Sequence, residues 1–242
     1  YSAMKVQVLL PKVFNFTFTY SHDSKKNYKI GDIVEVPFGT KKEIGVVWIG
    51  SSSVNKKIKI KEIKKKIENY CLDKKLIKFI EWFSMYNMVS KGLVLKMCIS
   101  GNENYFIKNK KKIIIKSTNL KIYELNEQQK NALKYLESSN FGFDVSVLQG
   151  LTGSGKTLVY FEKIKNIILE NKQALVLLPE ILLTNQFKKR FEDFFGFTPA
   201  VWHSRITPKN KRIIWQGILN GKIKLVVGAR SALLLPYKNL GL

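Results

Sequence analysis

Cysteine, histidine and acidic residues are all scarce in this chain, and each scarcity excludes a class of protein. The 242 residues contain two cysteines, Cys71 and Cys98, which lie far apart and outside the spacings of metal ligands. The two histidines, His22 and His203, are equally isolated. We therefore expect two reduced thiols and no zinc site in this chain.

Long hydrophobic runs are also absent. No apolar segment approaches the ~18 residues that span a bilayer. Residues 1–11 carry a lone Lys5, and no apolar core or small-residue cleavage site follows it, which argues against a signal peptide. We therefore expect a cytoplasmic protein with no membrane partner.

The shortage of negative charge indicates the kind of partner. There are 18 acidic residues against 42 lysines and arginines, which gives a net charge of +24. An AT-rich genome would favour lysine over arginine, but it would not produce this excess of basic over acidic residues. Residues 1–124 carry +15 and residues 125–242 carry +9. Such a balance is typical of polyanion binders, so we expect a nucleic-acid partner contacted largely by the first half.

The most specific pattern is a phosphate-binding loop, Gly150-Leu151-Thr152-Gly153-Ser154-Gly155-Lys156-Thr157, which fits G-x-x-x-x-G-K-[ST] at every specified position. Its glycines allow backbone N–H groups to turn toward an anion. Lys156 can reach the outer phosphates of a nucleotide, and the Thr157 hydroxyl can ligate the accompanying Mg²⁺. We expect ATP and Mg²⁺ to bind here, with catalytic roles for Lys156 and Thr157. The remaining contacts would come from Gly150, Thr152, Gly153, Ser154 and Gly155.

The segments around this loop support that interpretation over a chance glycine-rich turn. Residues 145–148 have the composition of a short buried strand, and residues 158–169 have the periodicity of an amphipathic helix. A strand, a loop and a helix in this order are the setting that the motif requires. We therefore expect the parent protein to bind a nucleoside triphosphate.

The first half is predicted to be rich in β-structure and ends in a helix at residues 72–88. The predicted strands cover residues 5–10, 14–20, 30–37 and 43–50. The second strand alternates Phe14, Phe16, Phe18 and Tyr20, which indicates one core face of a sheet; a base-stacking platform is the alternative. Residues 58–67 interleave isoleucine and lysine, and they fit a solvated strand edge and a phosphate-tracking surface equally well.

The second half is predicted to be an α/β fold with a parallel sheet, because helices and strands alternate along it. Residues 1–100 would form one domain and residues 125–242 another, with a basic linker at 101–124 between them. Asn126 would cap a helix that runs to residue 137. The later elements are a strand at 174–178, a helix at 181–195, a strand at 198–202, a helix at 208–219 and a strand at 224–227.

Several segments together resemble the primosomal replication-restart helicases, a family of superfamily-two DNA translocases. They are residues 125–129, the phosphate-binding loop with Val159-Tyr160, residues 176–181 with Leu183-Thr184 and Gln186, residues 202–204 and residues 226–233. The resemblance implies an incomplete RecA-like helicase lobe, with Gln129 contacting adenine. It also implies DNA contacts at the predicted strand ends, where ligands of open α/β sheets bind: Pro179, Glu180, Ser204, Arg230 and Ser231. Ordinary helix capping is the alternative for any one of these segments.

The first half is similar to the family's 3′-end-binding domain, a small OB-like β-fold. The similarity lies in residues 34–39 and 45–47, in Tyr86 and in residues 92–95. It implies a pocket for the 3′-terminal nucleotide of a nascent strand, with Phe16, Gly39 and Lys61 in it. Thr17 stands where family members usually have an acidic residue, which bears on the contact to the 3′-hydroxyl.

Two further departures concern the extent of the chain. The residues between the two similar regions are too few for the winged helix that is common in the family. The chain also ends before the family's acidic Asp-Glu-x-His element, its second motor lobe and its zinc-binding cysteines. We therefore expect a fragment that lacks ATPase activity, with zinc held only by the missing part.

The resemblance implies a parent protein that is an ATP-dependent DNA helicase of replication restart. It would recognise stalled forks and promote reloading of the replicative helicase. Its partners would be forked and single-stranded DNA, primosome proteins, the single-stranded-DNA-binding protein and the replicative helicase loader. A non-enzymatic basic DNA-binding module and another superfamily-two DNA translocase are the alternative hypotheses.

Overall fold

The computed structural model describes residues 4–50, 60–99, 106, 123–138, 142–179, 182 and 184–242. The chain divides into two compact units, and each is described by itself. Most of the expected linker at 101–124 and the expected site residue Glu180 lie outside the described residues. Within the described part, no helix has the length and apolar character needed to cross a membrane.

The first unit contains a five-stranded antiparallel sheet with the order β2-β1-β4-β3-β5. Its strands are β1 Met4–Leu9, β2 Phe18–His22, β3 Asp32–Phe38, β4 Lys41–Val47 and β5 Lys65–Cys71. One face buries a cluster of apolar side chains from all five strands or their flanks: Val8, Leu10, Tyr20, Val34, Val36, Val47 and Ile63. The expectation of a β-rich first half is therefore confirmed.

The second predicted strand begins later than the aromatic alternation indicates. Strand β2 starts at Phe18, so Phe14 and Phe16 precede it. The reason is the length of its partner, because β1 ends at Leu9 and its last pair with β2 joins Val8 to Phe18. No residue of β1 is left opposite residues 14–16, and alternation alone does not supply a partner strand.

Strand β5 also lies later than the isoleucine–lysine pattern at 58–67 indicates. It covers Lys65–Cys71, and residues 58–59 lie outside the described residues. Before β5, a single parallel bridge joins Ser21 to Glu62. Strand β5 lies at the edge of the sheet, next to β3.

Among the residues that the structure describes, three α-helices belong to the first unit. Helix α1 (Lys74–Asn87) begins after Asp73, whose side chain accepts a hydrogen bond from the backbone N–H of Lys75. Helix α2 (Lys91–Cys98) follows after a short turn. The last, α6 (Pro208–Leu219), comes from far later in the chain and matches the predicted helix at both ends. The sequence gives no sign that α6 belongs to this unit.

The second unit contains a parallel sheet with the order β6-β8-β7, as the alternation of elements predicted. Its strands are β6 Ala174–Leu177, β7 Ala200–Trp202 and β8 Leu225–Gly228, and its helices are α3 Glu127–Ser138, α4 Lys156–Leu169 and α5 Asn185–Phe195. A 3₁₀ helix, Arg230–Leu234, begins after β8 and crosses the boundary between the units. Along the outer side of β6, the N–H of Leu175 donates to the carbonyl of Leu242 across 2.8 Å.

The core of this unit lies between helices α4 and α5 and one face of the sheet. The buried cluster consists of Phe161, Ile164, Ile167, Ala174, Phe191, Phe194, Phe195, Leu225 and Val227. Helix α5 begins four residues later than predicted, because Thr184 caps it by accepting a hydrogen bond from the N–H of Phe187.

The predicted strand at 145–148 is wrong for the structure described. These residues have no regular structure, and the side chains of Val145 and Val147 are 72% and 87% exposed. A strand needs a hydrogen-bonded neighbour. The outer side of β6 pairs with the segment at residues 240–242, and no described strand pairs with residues 145–148.

Candidate nucleotide and DNA sites

The phosphate-binding loop leads directly into helix α4. Gly155 precedes the first helical residue with φ +79°, and Gly153 has φ +84°. Both values lie in the left-handed region that favours glycine, so the loop conformation requires these two residues. The first turn of α4 contains no acidic residue, and its free N–H groups carry the positive end of the helix dipole. The loop therefore has the backbone geometry of an anion site.

The expected phosphate ligand Lys156 is folded back on the loop. Its Nζ donates to the carbonyl oxygens of Gly150 and Leu151 at 2.6 and 2.7 Å. A bound phosphate would have to replace these two acceptors. Thr157 follows in the first turn of α4, with its side chain half-buried. Together with the loop amides, Lys156 and Thr157 form a donor set that fits a nucleoside triphosphate and its Mg²⁺.

Gln129 connects helix α3 to the same loop. Its N–H donates to Oδ1 of Asn126 at 2.9 Å, and its Oε1 accepts from the N–H of Asn126 at 3.0 Å. This reciprocal pair is a capping box, as expected for Asn126. The Nε2 group of Gln129 donates to the carbonyl of Ser154 at 3.3 Å. The structure thus brings Gln129 to the phosphate-binding loop, where the adenine contact was expected.

Gly155 leaves the space that Gln129 occupies. A Cβ atom at position 155 would clash with Nε2 of Gln129, so the Gln129 side chain would have to move. A Cβ atom at Gly153 would have no neighbour within 4 Å. Both glycines therefore adopt a backbone conformation that favours glycine, but only at position 155 would a side chain also meet Gln129.

The expected DNA contacts of the second unit lie at one edge of the parallel sheet. Leu177, Gly228 and Trp202 stand at the same register, at the ends of β6, β8 and β7. Pro179 follows the first of these strands. Ser204 follows the strand that ends at Trp202, and Arg230 and Ser231 follow the one that ends at Gly228. All four are exposed.

Backbone bonds hold these strand ends together. The N–H of Leu178 donates to the carbonyl of Gly228 at 2.9 Å, and the N–H of Ala229 donates to the carbonyl of Trp202 at 3.2 Å. The exposed hydroxyls and the guanidinium after the strands are chemically suited to phosphate oxygens. The carboxyl edge of the sheet therefore presents groups that can bind phosphate, at the position where ligands of open α/β sheets bind.

In the first unit, the expected 3′-end residues Gly39 and Lys61 are in direct contact. The Nζ of Lys61 donates to the carbonyl of Gly39 at 3.2 Å. The backbone around Lys61 is fixed, because its carbonyl accepts from the N–H of Ser21 and the N–H of Ile63 donates to the carbonyl of Ser21, both at 3.0 Å. Gly39 lies in the hairpin turn with φ +60°, and a Cβ atom built there would have no neighbour within 4 Å. The space above Gly39 is open.

An aromatic cluster lies beside this turn. The rings of Phe14, Phe16, Phe18 and Phe38 have centroid separations of 5.1 to 5.7 Å. Phe38 immediately precedes Gly39, and Phe16 is 57% exposed. Phe14 and Phe18 each contact both Phe16 and Phe38, so the exposed ring of Phe16 belongs to the same aromatic cluster as the ring that precedes Gly39. The sequence pattern identified the first three rings but missed Phe38, because the strand was predicted to end at residue 37, whereas β3 continues to Phe38.

Thr17 is engaged within the protein. Its hydroxyl donates to Oε1 of Gln7 at 3.0 Å, and Nε2 of Gln7 donates to the Thr19 hydroxyl at 2.9 Å. The buried Gln7 was not recognised from sequence, because a single glutamine in an apolar strand carries no pattern. A neutral, internally bonded hydroxyl therefore stands where the resemblance implies an acidic residue.

Comparisons with known proteins agree with this arrangement. Residues 6–100 match the family model of the PriA 3′ DNA-binding domain (3′BD). Residues 122–237 match the model described as type III restriction enzyme, res subunit.

Curated relatives extend the similarity over nearly the whole chain. The chain is 40% identical over 241 residues to the replication restart protein PriA of Rickettsia conorii, which covers 98% of this chain and 36% of that protein. It is 45% identical over 98 residues to PriA of Bacillus subtilis, covering 40% of this chain and 12% of that one. PriA of Helicobacter pylori is 42% identical over 118 residues, covering 49% and 18%. The chain thus spans about a third of the Rickettsia relative.

Proposed function

The chain belongs to the family of replication restart protein PriA in the part that it spans, and we propose that the protein acts as an ATP-dependent DNA helicase that recognises stalled replication forks. The observation that carries the proposal is the pairing, in one chain, of a 3′ DNA-binding domain with a phosphate-binding loop in helicase-like surroundings. A non-enzymatic basic module would need no such loop.

In the nucleotide site, Lys156 would leave the carbonyls of Gly150 and Leu151 and stabilise charge on the β- and γ-phosphates. Thr157 would hold the Mg²⁺ ion, which when bound neutralises phosphate charge. Gln129 would contact adenine from its position against Ser154. Binding would thus exchange internal hydrogen bonds of the loop for bonds to the nucleotide.

In the DNA sites, Phe16 would stack on the terminal base, and Lys61 would contact a phosphate beside Gly39. The exposed residues after β6, β7 and β8 would grip the single-stranded backbone. We also propose primosome proteins, the single-stranded-DNA-binding protein and the replicative helicase loader as partners. These protein partners rest on the family relationship alone.

For the 242-residue chain itself, we propose nucleotide binding without hydrolysis. Its sequence contains no Asp-Glu pair of the kind that holds Mg²⁺ and positions water in the family. We expect a fluorescent ATP analogue to bind the chain in the presence of Mg²⁺ and forked DNA. The Lys156→Ala variant should abolish that binding. Phosphate release from ATP should stay at the background level. Nucleotide binding that is unchanged in Lys156→Ala would contradict the nucleotide site. Salt-dependent DNA binding that is changed neither by ATP nor by this variant would favour the non-enzymatic module.

A further inference from the structure

A second basic site lies on the edge of the antiparallel sheet, apart from the residues assigned above. It is a surface pocket of about 360 Å³, within the usual range of ligand pockets, about 300–1,000 Å³. Residues from the loop after β2 and from the start of β5 line it: Lys26, Asn27, Tyr28, Lys64, Lys65, Lys66 and Glu68. Four ammonium groups thus face one carboxylate.

One of these lysines has a structural role. Lys66 forms an ion pair with the buried Asp32 at 2.6 Å, and its Nζ donates to the carbonyl of Asn27 at 3.3 Å. It also lies over the ring of Tyr28, 5.6 Å from the centroid. The hydrogen bond to Asp32 raises the pKa of Lys66, so its ammonium stays charged while it fixes the wall of the pocket.

The other three lysines are available to a ligand. Lys26, Lys64 and Lys65 are exposed, and in the part of the chain that the structure describes none of them forms an ion pair. The backbone beneath them is ordered, because the N–H of Lys64 donates to the carbonyl of Glu35 at 2.9 Å. The pocket therefore presents unneutralised positive charge on a fixed support.

The segment from Lys61 to Lys65 connects the Gly39 turn to the pocket along the chain. Lys61, which contacts Gly39, is four residues before Lys65, and an extended chain of that length spans at most about 14 Å. The bridge between Ser21 and Glu62 holds this segment against β2, whose following loop contributes Lys26. A strand of nucleic acid that ends at Lys61 would therefore pass within reach of the pocket.

We propose that this pocket binds the phosphodiester backbone of the same DNA strand whose 3′ end is held by Phe16, Gly39 and Lys61. This inference rests on the proposed function. Lysine binds phosphate as a point charge, and the ring of Tyr28 is half-buried under Lys66, so the contact reads charge and not base identity. The pocket would thereby strengthen binding of longer strands without changing recognition of the terminal nucleotide.

The test compares two triple variants of the 242-residue chain with equal loss of charge. The first is Lys26→Gln, Lys64→Gln and Lys65→Gln; the control is Lys74→Gln, Lys78→Gln and Lys96→Gln, which are exposed lysines of the same unit. Dissociation constants for 2- and 12-nucleotide strands with free 3′-hydroxyls would be measured across a series of salt concentrations. Thermal melting would verify that both variants fold.

We expect the pocket variant to weaken binding of the 12-nucleotide strand and to reduce the salt slope by about 2, since each lost contact to single-stranded DNA removes about 0.7. Its affinity for the 2-nucleotide strand, which is too short to extend from Lys61 into the pocket, should match that of the control variant. Equal effects of both variants on the long strand, or an equal effect of the pocket variant on both strands, would overturn the proposal. The proposal would also be overturned if the pocket variant weakened binding of a polyglutamate peptide as much as binding of the long strand, because the pocket would then be a general anion site. If the unmodified chain bound strands with a free 3′-hydroxyl no more tightly than strands with a 3′-phosphate, this result would instead contradict the proposed function.

Discussion

The indole Nε1 of Trp215 donates a hydrogen bond to the carbonyl oxygen of Cys98 across 2.7 Å, although 117 positions separate the two residues. Both side chains are buried, and the indole ring also contacts Tyr70 and Phe106, with centroid separations of 6.1 and 5.6 Å. This contact ties helix α6 to the DNA-binding unit. The chain on either side of α6 returns to the unit that carries the phosphate-binding loop.

We expect Trp215→Phe to destabilise the protein by about 1–3 kcal/mol, because it leaves the buried carbonyl of Cys98 without this donor. Chemical denaturation would measure the loss. Trp82→Phe is the matched control, since Trp82 is 49% exposed and its replacement should change stability by less than about 0.5 kcal/mol. Equal stabilities of the two variants would contradict a structural role for this bond.

Stability should fall at alkaline pH. Burial raises the pKa of the Cys98 thiol from 9.0 to about 12. Between those values the unfolded chain loses the proton and the folded chain keeps it, so the stabilisation is complete below pH 9 and disappears as the pH rises to 12. Burial also raises the pKa of Tyr20 from 10.0 to about 12, which adds to the decline above pH 10.

The contribution of the thiol can be isolated with Cys98→Ala. Denaturation midpoints would be measured at intervals between pH 8 and 12. We expect the decline between pH 9 and 10 to become shallower in the variant, while the tyrosine-dependent decline above pH 10 remains. An unchanged slope between pH 9 and 10 would show that Cys98 does not control this range.

Gly155→Ala should impair nucleotide binding more than Gly153→Ala. Both variants place a side chain at positive φ, at a cost of about 1–2 kcal/mol. The added methyl group at position 155 would also displace Gln129 from Ser154, whereas position 153 has open space. Titration with a fluorescent ATP analogue would compare the two variants. Equal losses of nucleotide affinity would contradict a contribution of Gln129 to nucleotide binding.

Phe16→Ala should weaken DNA binding without unfolding the protein. Stacking on an aromatic ring contributes about 1–3 kcal/mol per base, which corresponds to a loss of roughly 5- to 150-fold in affinity. The ring is 57% exposed, so the melting temperature should change little. Tyr135→Ala removes another exposed aromatic ring and serves as the control. If both variants bind DNA equally well, Phe16 does not stack on the terminal base.

Features that depend on local sequence were predictable. The helix at Pro208–Leu219 matches the prediction at both ends, and the phosphate-binding loop leads into α4 as its motif requires. Features that depend on distant partners were not. Residues 145–148 have the apolar character of a strand, yet strand formation is decided by the neighbouring chain, which no local pattern encodes.

The candidate sites show the same division. Sequence motifs gave Lys156 and Thr157 directly, because their spacing is fixed by the loop itself. The contact between Lys61 and Gly39 and the clustering of Phe38 with Phe14 and Phe18 depend on how β2, β3 and the segment before β5 pair. The burial of Trp215 depends on a contact across 117 positions, so the membership of α6 in the first unit emerged only from the structure.

We propose that the first unit holds the 3′ end of a DNA strand with a neutral, internally bonded hydroxyl at Thr17. Fluorescence anisotropy of the 242-residue chain with forked DNA would test it most directly, comparing a 3′-hydroxyl with a 3′-phosphate on the nascent strand. We predict tighter binding of the hydroxyl, because the pocket at Phe16, Gly39 and Lys61 would receive an unmodified terminus. Equal binding of both termini with a steep dependence on salt would contradict the claim and leave only a basic DNA-binding surface.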